Sequence, residues 1–195
     1  FAPFLEYGAQ ESAAWLACTL EAAWLPTPKP VRTRIPLNAT LPAVPAERVP
    51  EVLAKYEGEI QELKIKVAEK GQSLADDIAR VAAAREALPN ARLKVDANMG
   101  YTLAGALEAL RKLCEYGIIY AEQPVASIED MAALRFAIAK EGLPARIAAD
   151  ESIRKAEDPL KVARANAADL MVIKAAPLGG VRRALALVEQ AQLPA

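Results

Sequence analysis

The run Leu93-Lys94-Val95-Asp96-Ala97-Asn98 interleaves two demands: Leu93, Val95 and Ala97 ask for a buried strand, while Lys94, Asp96 and Asn98 offer a cation, a carboxylate and an amide. Side chains two apart on a strand point the same way, so one face of this strand is apolar and the other charged. Strands packed between layers normally read as nearly continuous apolar runs. The same interleaving recurs along the chain. Leu63-Lys64-Ile65-Lys66-Val67 sets two ammonium groups on one face, Ile118-Ile119-Tyr120-Ala121-Glu122-Gln123-Pro124 ends on a carboxylate, Ile147-Ala148-Ala149-Asp150-Glu151-Ser152 does likewise, and Met171-Val172-Ile173-Lys174-Ala175 carries a lysine.

These runs predict strands at 31–41, 63–68, 93–97, 118–121, 146–149 and 170–175, with helix-like segments between them. Ser73-Leu-Ala-Asp76 and Ser127-Ile-Glu-Asp130 have the form of helix starts, where a hydroxyl takes up free amide protons and a carboxylate meets the positive helix end. Leu103, Leu107, Leu110 and Cys114 fall on one helical face, with Gly117 as the stop. Strands alternating with helices imply parallel crossovers and an α/β chain. Such a chain winds either as a doubly wound sheet or as a (β/α)8-type, TIM-like barrel; as a barrel it covers 26–195 and is incomplete at about six βα units, since a whole barrel takes roughly 250 residues. Prolines 26, 28, 30, 36, 42, 45 and 50 mark a linker and the first strand. Ahead of it, within 1–25, stands one amphipathic helix with Trp15, Leu16 and Leu20 as buried candidates. It is too small for a domain and belongs to something larger.

Of the 195 residues 53% are apolar and 25% charged, and 24 Lys+Arg balance 25 Asp+Glu. Without a basic surplus, neither nucleic acid nor an anionic membrane is an expected partner. Phe1-Ala2-Pro3-Phe4-Leu5-Glu6 lacks the basic flank of a secretion signal and no apolar run reaches membrane length, so the expected location is cytoplasmic. Cys18 and Cys114 lie in helical runs, not at ligand spacing. The chain contains no histidine. Histidine triads, imidazole zinc sites and histidine bases are therefore excluded, and acid–base chemistry falls to Lys, Asp, Glu or Tyr.

Lys66, Asp96, Glu122, Asp150 and Lys174 recur at intervals of 24 to 30 residues, one βα unit each. Taken singly, each has an ordinary explanation: Lys64 and Lys66 as the wet face of an edge strand, Asn98 as a turn residue, Glu122 as a strand end, Asp150 as a helix cap. Taken together, they stand at similar heights in successive units, as catalytic groups at the carboxyl ends of barrel strands do. Neighbouring strands lie about 4.8 Å apart, so carboxylates on strands three, four and five come within reach of one ion. With oxygen ligands only, Mg²⁺ is the expected ion. Lys66 and Lys174 would flank whatever it holds. Burial, the adjacent ammonium of Lys64 and a nearby cation would all favour a neutral, basic Lys66.

The pattern of Lys64-x-Lys66, Asp96-x-Asn98, Glu122-Gln-Pro, Asp150-Glu-Ser and Lys174 resembles the enolase superfamily, in its muconate-lactonising subgroup. Phe1-Ala-Pro-Phe-Leu-Glu-Tyr7, Gly71-Gln-Ser-Leu-Ala-Asp76, Ala149-Asp-Glu-Ser-Ile-Arg154 with Ala156-Glu-Asp-Pro159, and Pro177-Leu-Gly-Gly180 are most similar to the actinobacterial-type o-succinylbenzoate synthase family. The resemblance implies a lyase of menaquinone biosynthesis. Its reaction is a Mg²⁺-dependent syn elimination of water, via an enediolate, from a small carboxylate substrate, 2-succinyl-6-hydroxy-2,4-cyclohexadiene-1-carboxylate. On this implication Asp96, Glu122 and Asp150 ligate the metal and Lys66 is acid and base. Lys174 stabilises the developing anion or ring, and Lys64 orients Lys66. Asn98, Glu151 and Ser152 support the ligands, and Gly179-Gly180 offers backbone amides to a substrate carboxylate. Residues 1–25 become the remnant of a capping domain. Related N-succinylamino acid racemases and dipeptide epimerases share the five main residues and stay open as alternatives. So do a Schiff-base aldolase using Lys174 and a non-catalytic fragment or scaffold.

Overall fold

The computed structural model describes residues 8–154 and 158–195, so the Phe1–Tyr7 motif and residues 155–157 lie outside the described residues. Six short strands pair in parallel and in chain order: β1 (Ala39–Leu41), β2 (Glu62–Lys66), β3 (Arg92–Asp96), β4 (Ile118–Glu122), β5 (Arg146–Ala149) and β6 (Leu170–Met171). The helices are α1 (Gly8–Trp24), α2 (Val49–Leu53), α3 (Leu74–Ala87), α4 (Leu103–Leu113), α5 (Ile128–Lys140), α6 (Glu151–Arg154), α7 (Lys161–Arg164), α8 (Ala175–Leu178) and α9 (Val181–Ala191). A helical segment between each pair of neighbouring parallel strands, with no reversal of order, is the winding of a barrel wall.

The predicted starts of α3 and α5 are present. Ser73 Oγ accepts from Asp76 N while Asp76 Oδ2 accepts from Ser73 N, and Ser127 Oγ accepts from Asp130 N. On α4 the fully buried stripe is Ala106, Ala109, Leu110 and Leu113, flanked by Leu103 and Leu107, and the chain turns away at Gly117 with φ +70°. Leu63, Ile65, Leu93, Val95, Ile147 and Ala149 point outward from the sheet into the layer of helices, where Val81, Leu110, Met131 and Leu134 meet them without solvent. The apolar half of β2, β3 and β5 is thereby used. The charged half faces the other side of the sheet.

Three expectations need correction. The first strand covers only Ala39–Leu41, and Val31, Ile35 and Leu37 are exposed; Pro30 and Pro36 lack the amide protons a ladder requires. The sixth ends at Met171, so Lys174 stands beyond the strand, at the N-cap of α8. Its outer edge meets the chain itself, Met171 N donating to the Pro194 carbonyl at 2.8 Å. On α1, Trp15, Leu16 and Leu20 are exposed and Ser12 is the buried residue. The helix packs on α8, with the Ala14 backbone close to Gly179.

Candidate active site

Strand register builds the site. Lys66 pairs with Asp96 and Asp96 with Glu122, so three of the expected residues share one rung across β2, β3 and β4. Glu122 pairs in turn with Ala148, two residues before Asp150. Asp96, Glu122 and Asp150 are each about 1% exposed.

Every one of these carboxylates meets a lysine. Lys66 Nζ lies 2.6 Å from Asp96 Oδ2 and 2.6 Å from Asn98 Oδ1. Lys64 Nζ lies 3.1 Å from Asp96 Oδ2 and reaches both oxygens of Glu122 at 3.1 and 3.2 Å. Lys174 Nζ donates to Asp150 Oδ2 at 2.5 Å. The two halves are joined through Asn98, whose amide donates to Glu151 Oε1, an oxygen that also accepts from Arg154. Arg154 Nε in turn sits 3.3 Å from Asp150 Oδ1. Lys66 and Lys174 thus stand at opposite ends of one polar network.

Charge explains the shifts inside it. Burial raises Glu122, and the neighbouring carboxylates Asp96 and Asp150 add to the rise against the pull of Lys64. The three acids therefore feel one another. Burial also pushes Asp96 upward, but the hydrogen bond from Lys66 and the charges of Lys64 and Lys66 outweigh it, leaving the group below its ordinary value. For Lys64, burial acts downward and is overcome by Glu122 and Asp96, so the ammonium is held above the usual lysine range. The acids on β3 and β4 thus dominate the surroundings of the Lys64 ammonium.

The donor set suits a hard divalent ion in kind. It consists of buried carboxylate oxygens, among which Asp150 Oδ1 has no hydrogen-bond partner. As they stand, however, no three acidic side chains among the described residues are arranged to hold an ion, and each of Asp96, Glu122 and Asp150 is paired with a lysine.

In the sequence Gln123 stands out only within Glu122-Gln-Pro, and the structure gives it a larger part. Fully buried, with φ +36°, its Oε1 accepts from Asp150 N and Ser152 N while its Nε2 donates to Ser152 Oγ and Val125 O. It ties the end of β4 to the end of β5. Arg154 could have been found from its spacing, one helical turn after Asp150. Lys94, over the Tyr120 ring and bonded to Glu62 and Asn38, fills the same sheet face below the rung. Burial and the charge of Glu122 push the Tyr120 phenol up to about 12.

Gly179 and Gly180 stand apart from this network. The amides they lead into, Val181 N and Arg182 N, bind Glu21 Oε1 of α1 at 2.9 and 3.2 Å. A carboxylate does sit on this helix start, and it is the protein's own. A cavity of about 660 Å³ opens beside the site between α1 and α9, reached by Arg154, Leu178 and Arg183.

The chain is 55% identical to the o-succinylbenzoate synthase of Mycolicibacterium smegmatis and 49% identical to that of Mycobacterium leprae, in both cases over all of its own length. It spans 58% and 56% of those proteins, little more than half of each. The structure superposes on a mandelate racemase/muconate lactonizing family protein from Azoarcus with a TM-score of 0.72 at 28% identity, covering 97% of this chain and 50% of that one. The family model described as Enolase N-terminal domain-like matches residues 1–23, and the one described as Enolase C-terminal domain-like matches 46–193. With six barrel units wound in order and the acidic rung set at their strand ends, the chain belongs to the enolase superfamily, through its C-terminal barrel domain.

Proposed function

We propose that the whole protein is an o-succinylbenzoate synthase, removing water from 2-succinyl-6-hydroxy-2,4-cyclohexadiene-1-carboxylate in the cytoplasmic route to menaquinone. The observation that carries this is the pairing of Lys66 and Lys174 with acids at the two ends of one buried network, in a chain half-identical to enzymes of that name. Residues 1–25 belong to the capping domain on this reading, and 26–195 to the barrel.

Asp96, Glu122 and Asp150 would hold magnesium, and the lysines must yield their carboxylates when the ion is loaded. When bound, the ion supplies positive charge against which the enediolate of the substrate carboxylate is stabilised. The remaining work belongs to the side chains. Lys66 Nζ takes the proton from the carbon bearing the carboxylate and gives it back to the departing hydroxyl, so that water leaves on the same face and the ring becomes aromatic. Lys174, on the other side, sets an ammonium against the developing negative charge or the ring face. Lys64 holds Glu122 until the ion takes it, and orients Lys66. Asn98 orients Lys66; Glu151 and Ser152 support the strand-end carboxylates.

The test is a spectrophotometric assay of the whole protein with that substrate and Mg²⁺. Aromatic product that disappears in Lys66→Ala supports the proposal; no product contradicts it. Two facing lysines also suit a two-base racemase. Deuterium exchange from solvent into an N-succinylamino acid, without dehydration, would favour that second activity.

A further inference from the structure

Arg80 and Asp77 form an ion pair almost sealed from solvent, outside the set of acids on the rung. Removing two charges from water is costly, and well-packed apolar residues would generally serve stability as well or better. What the pair holds is therefore informative. Arg80 Nε donates to the Val44 carbonyl at 2.6 Å, Nη1 to the Lys66 carbonyl at 3.0 Å and to Asp77 Oδ1 at 2.9 Å, and Nη2 to Gln72 Oε1. Asp77 Oδ2 accepts from Ala68 N at 2.9 Å and from the Tyr101 hydroxyl at 2.6 Å.

These partners come from the loops after β1, β2 and β3, and two of them, the Lys66 carbonyl and the Ala68 amide, bracket the carboxyl end of β2. The backbone there is under constraint. Ala68 has φ +58°, a conformation few residues with a Cβ adopt. Gly100 lies so close above it that a Cβ would stand 2.6 Å from the Ala68 carbonyl oxygen. Burial and the Asp77 charge raise the Tyr101 phenol, so it remains a donor. The strand end is gripped from both sides while the Lys66 side chain stays 31% exposed, open toward the site.

We propose that Arg80, Asp77 and Tyr101 are positioning residues that fix the backbone on either side of Lys66 and so set where its amine meets the substrate. This rests on the dehydratase reading above, and the experiment separates the two. Tyr101→Phe and Asp77→Asn are made in the whole protein, and kcat, KM, thermal stability and the amide exchange of Ala68 are measured. Tyr101→Phe, which removes a single hydroxyl, keeps the fold if Asp77→Asn does not. The expected result is a kcat lower by roughly tenfold to a hundredfold with KM within about twofold, and faster exchange at Ala68. Wild-type kcat in a folded variant, whatever its melting temperature, overturns the positioning role. Absence of turnover in the wild-type protein instead overturns the proposed function, leaving Lys66 no substrate to be positioned for.

Discussion

Lys64 Nζ on β2 holds both carboxylate oxygens of Glu122 on β4, at 3.1 and 3.2 Å, across the intervening strand. On the way it touches Asp96 of β3, so a single ammonium offers its charge to two acids that are almost sealed from water. Lys66 and Lys174 do the same for Asp96 and Asp150. The lysines and acids therefore depend on one another for burial.

Removing the Lys64 charge should expose that dependence. Lys64→Met leaves Glu122 without its ammonium, and loss of one partner from a largely buried pair typically costs about 3 kcal/mol. Urea unfolding in EDTA is expected to register that loss, and added Mg²⁺ to recover part of it. A variant as stable as the wild type in EDTA would contradict the arrangement.

The pH dependence has two ends. The folded-state pKa of Lys64 is raised above its ordinary 10.5, so its stabilisation is complete below that value and disappears as pH rises through the folded one. Asp96 is lowered from 3.8; its stabilisation is complete above 3.8 and is lost as acid brings the pH down through the folded value. Glu122, raised, opposes Asp96 by favouring the fold most when protonated. Melting temperatures of wild type and Lys64→Met are expected to differ most near neutrality and to converge above pH about 10.5. A gap unchanged into strong alkali would mean Lys64 stabilises through packing alone.

Gln123 gives a test independent of the lysines. Gln123→Leu keeps the bulk but strands two buried amide protons, at Asp150 and Ser152, and removes the donor to Ser152 Oγ. Unsatisfied buried groups cost about 1–3 kcal/mol each. Denaturation should show a loss of at least about 2 kcal/mol, with the Asp150 and Ser152 amides exchanging faster. Unaltered exchange there would show that the side chain does not carry the β4–β5 tie.

At the barrel edge, Gly180 has φ +127°, and a Cβ would stand 2.3 Å from Glu21 Oε2. Gly180→Ala is expected to dislodge that carboxylate and speed exchange of the Val181 and Arg182 amides, as Glu21→Gln would do more mildly. Equal protection in both variants would mean that Glu21 plays no part in holding α1 to this helix start.

The parts that sequence revealed and the parts it hid divide along physical lines. Asp96 and Lys66 were legible because a charge in an apolar strand violates a local rule, and regular spacing then implied a shared height that register bears out. Ser73 and Ser127 were legible because capping is decided within four residues. The burial of Trp15, Leu16 and Leu20 was misjudged because amphipathicity says that a face is apolar without saying what covers it. Gln123, Arg80 and Tyr101 were hidden for a related reason: Gln123 and Arg80 bind backbone atoms of distant loops, and Tyr101 reaches Asp77 on α3 from the loop after β3, contacts that leave no pattern in side-chain order.

The central claim is that Asp96, Glu122 and Asp150 exchange their lysines for one divalent ion. Titration of the whole protein with Mn²⁺, followed by electron paramagnetic resonance, tests it directly. One bound ion per chain is expected, displaced by Mg²⁺ and lost in each of Asp96→Asn, Glu122→Gln and Asp150→Asn. Failure to bind, or binding that survives all three substitutions, would contradict the account.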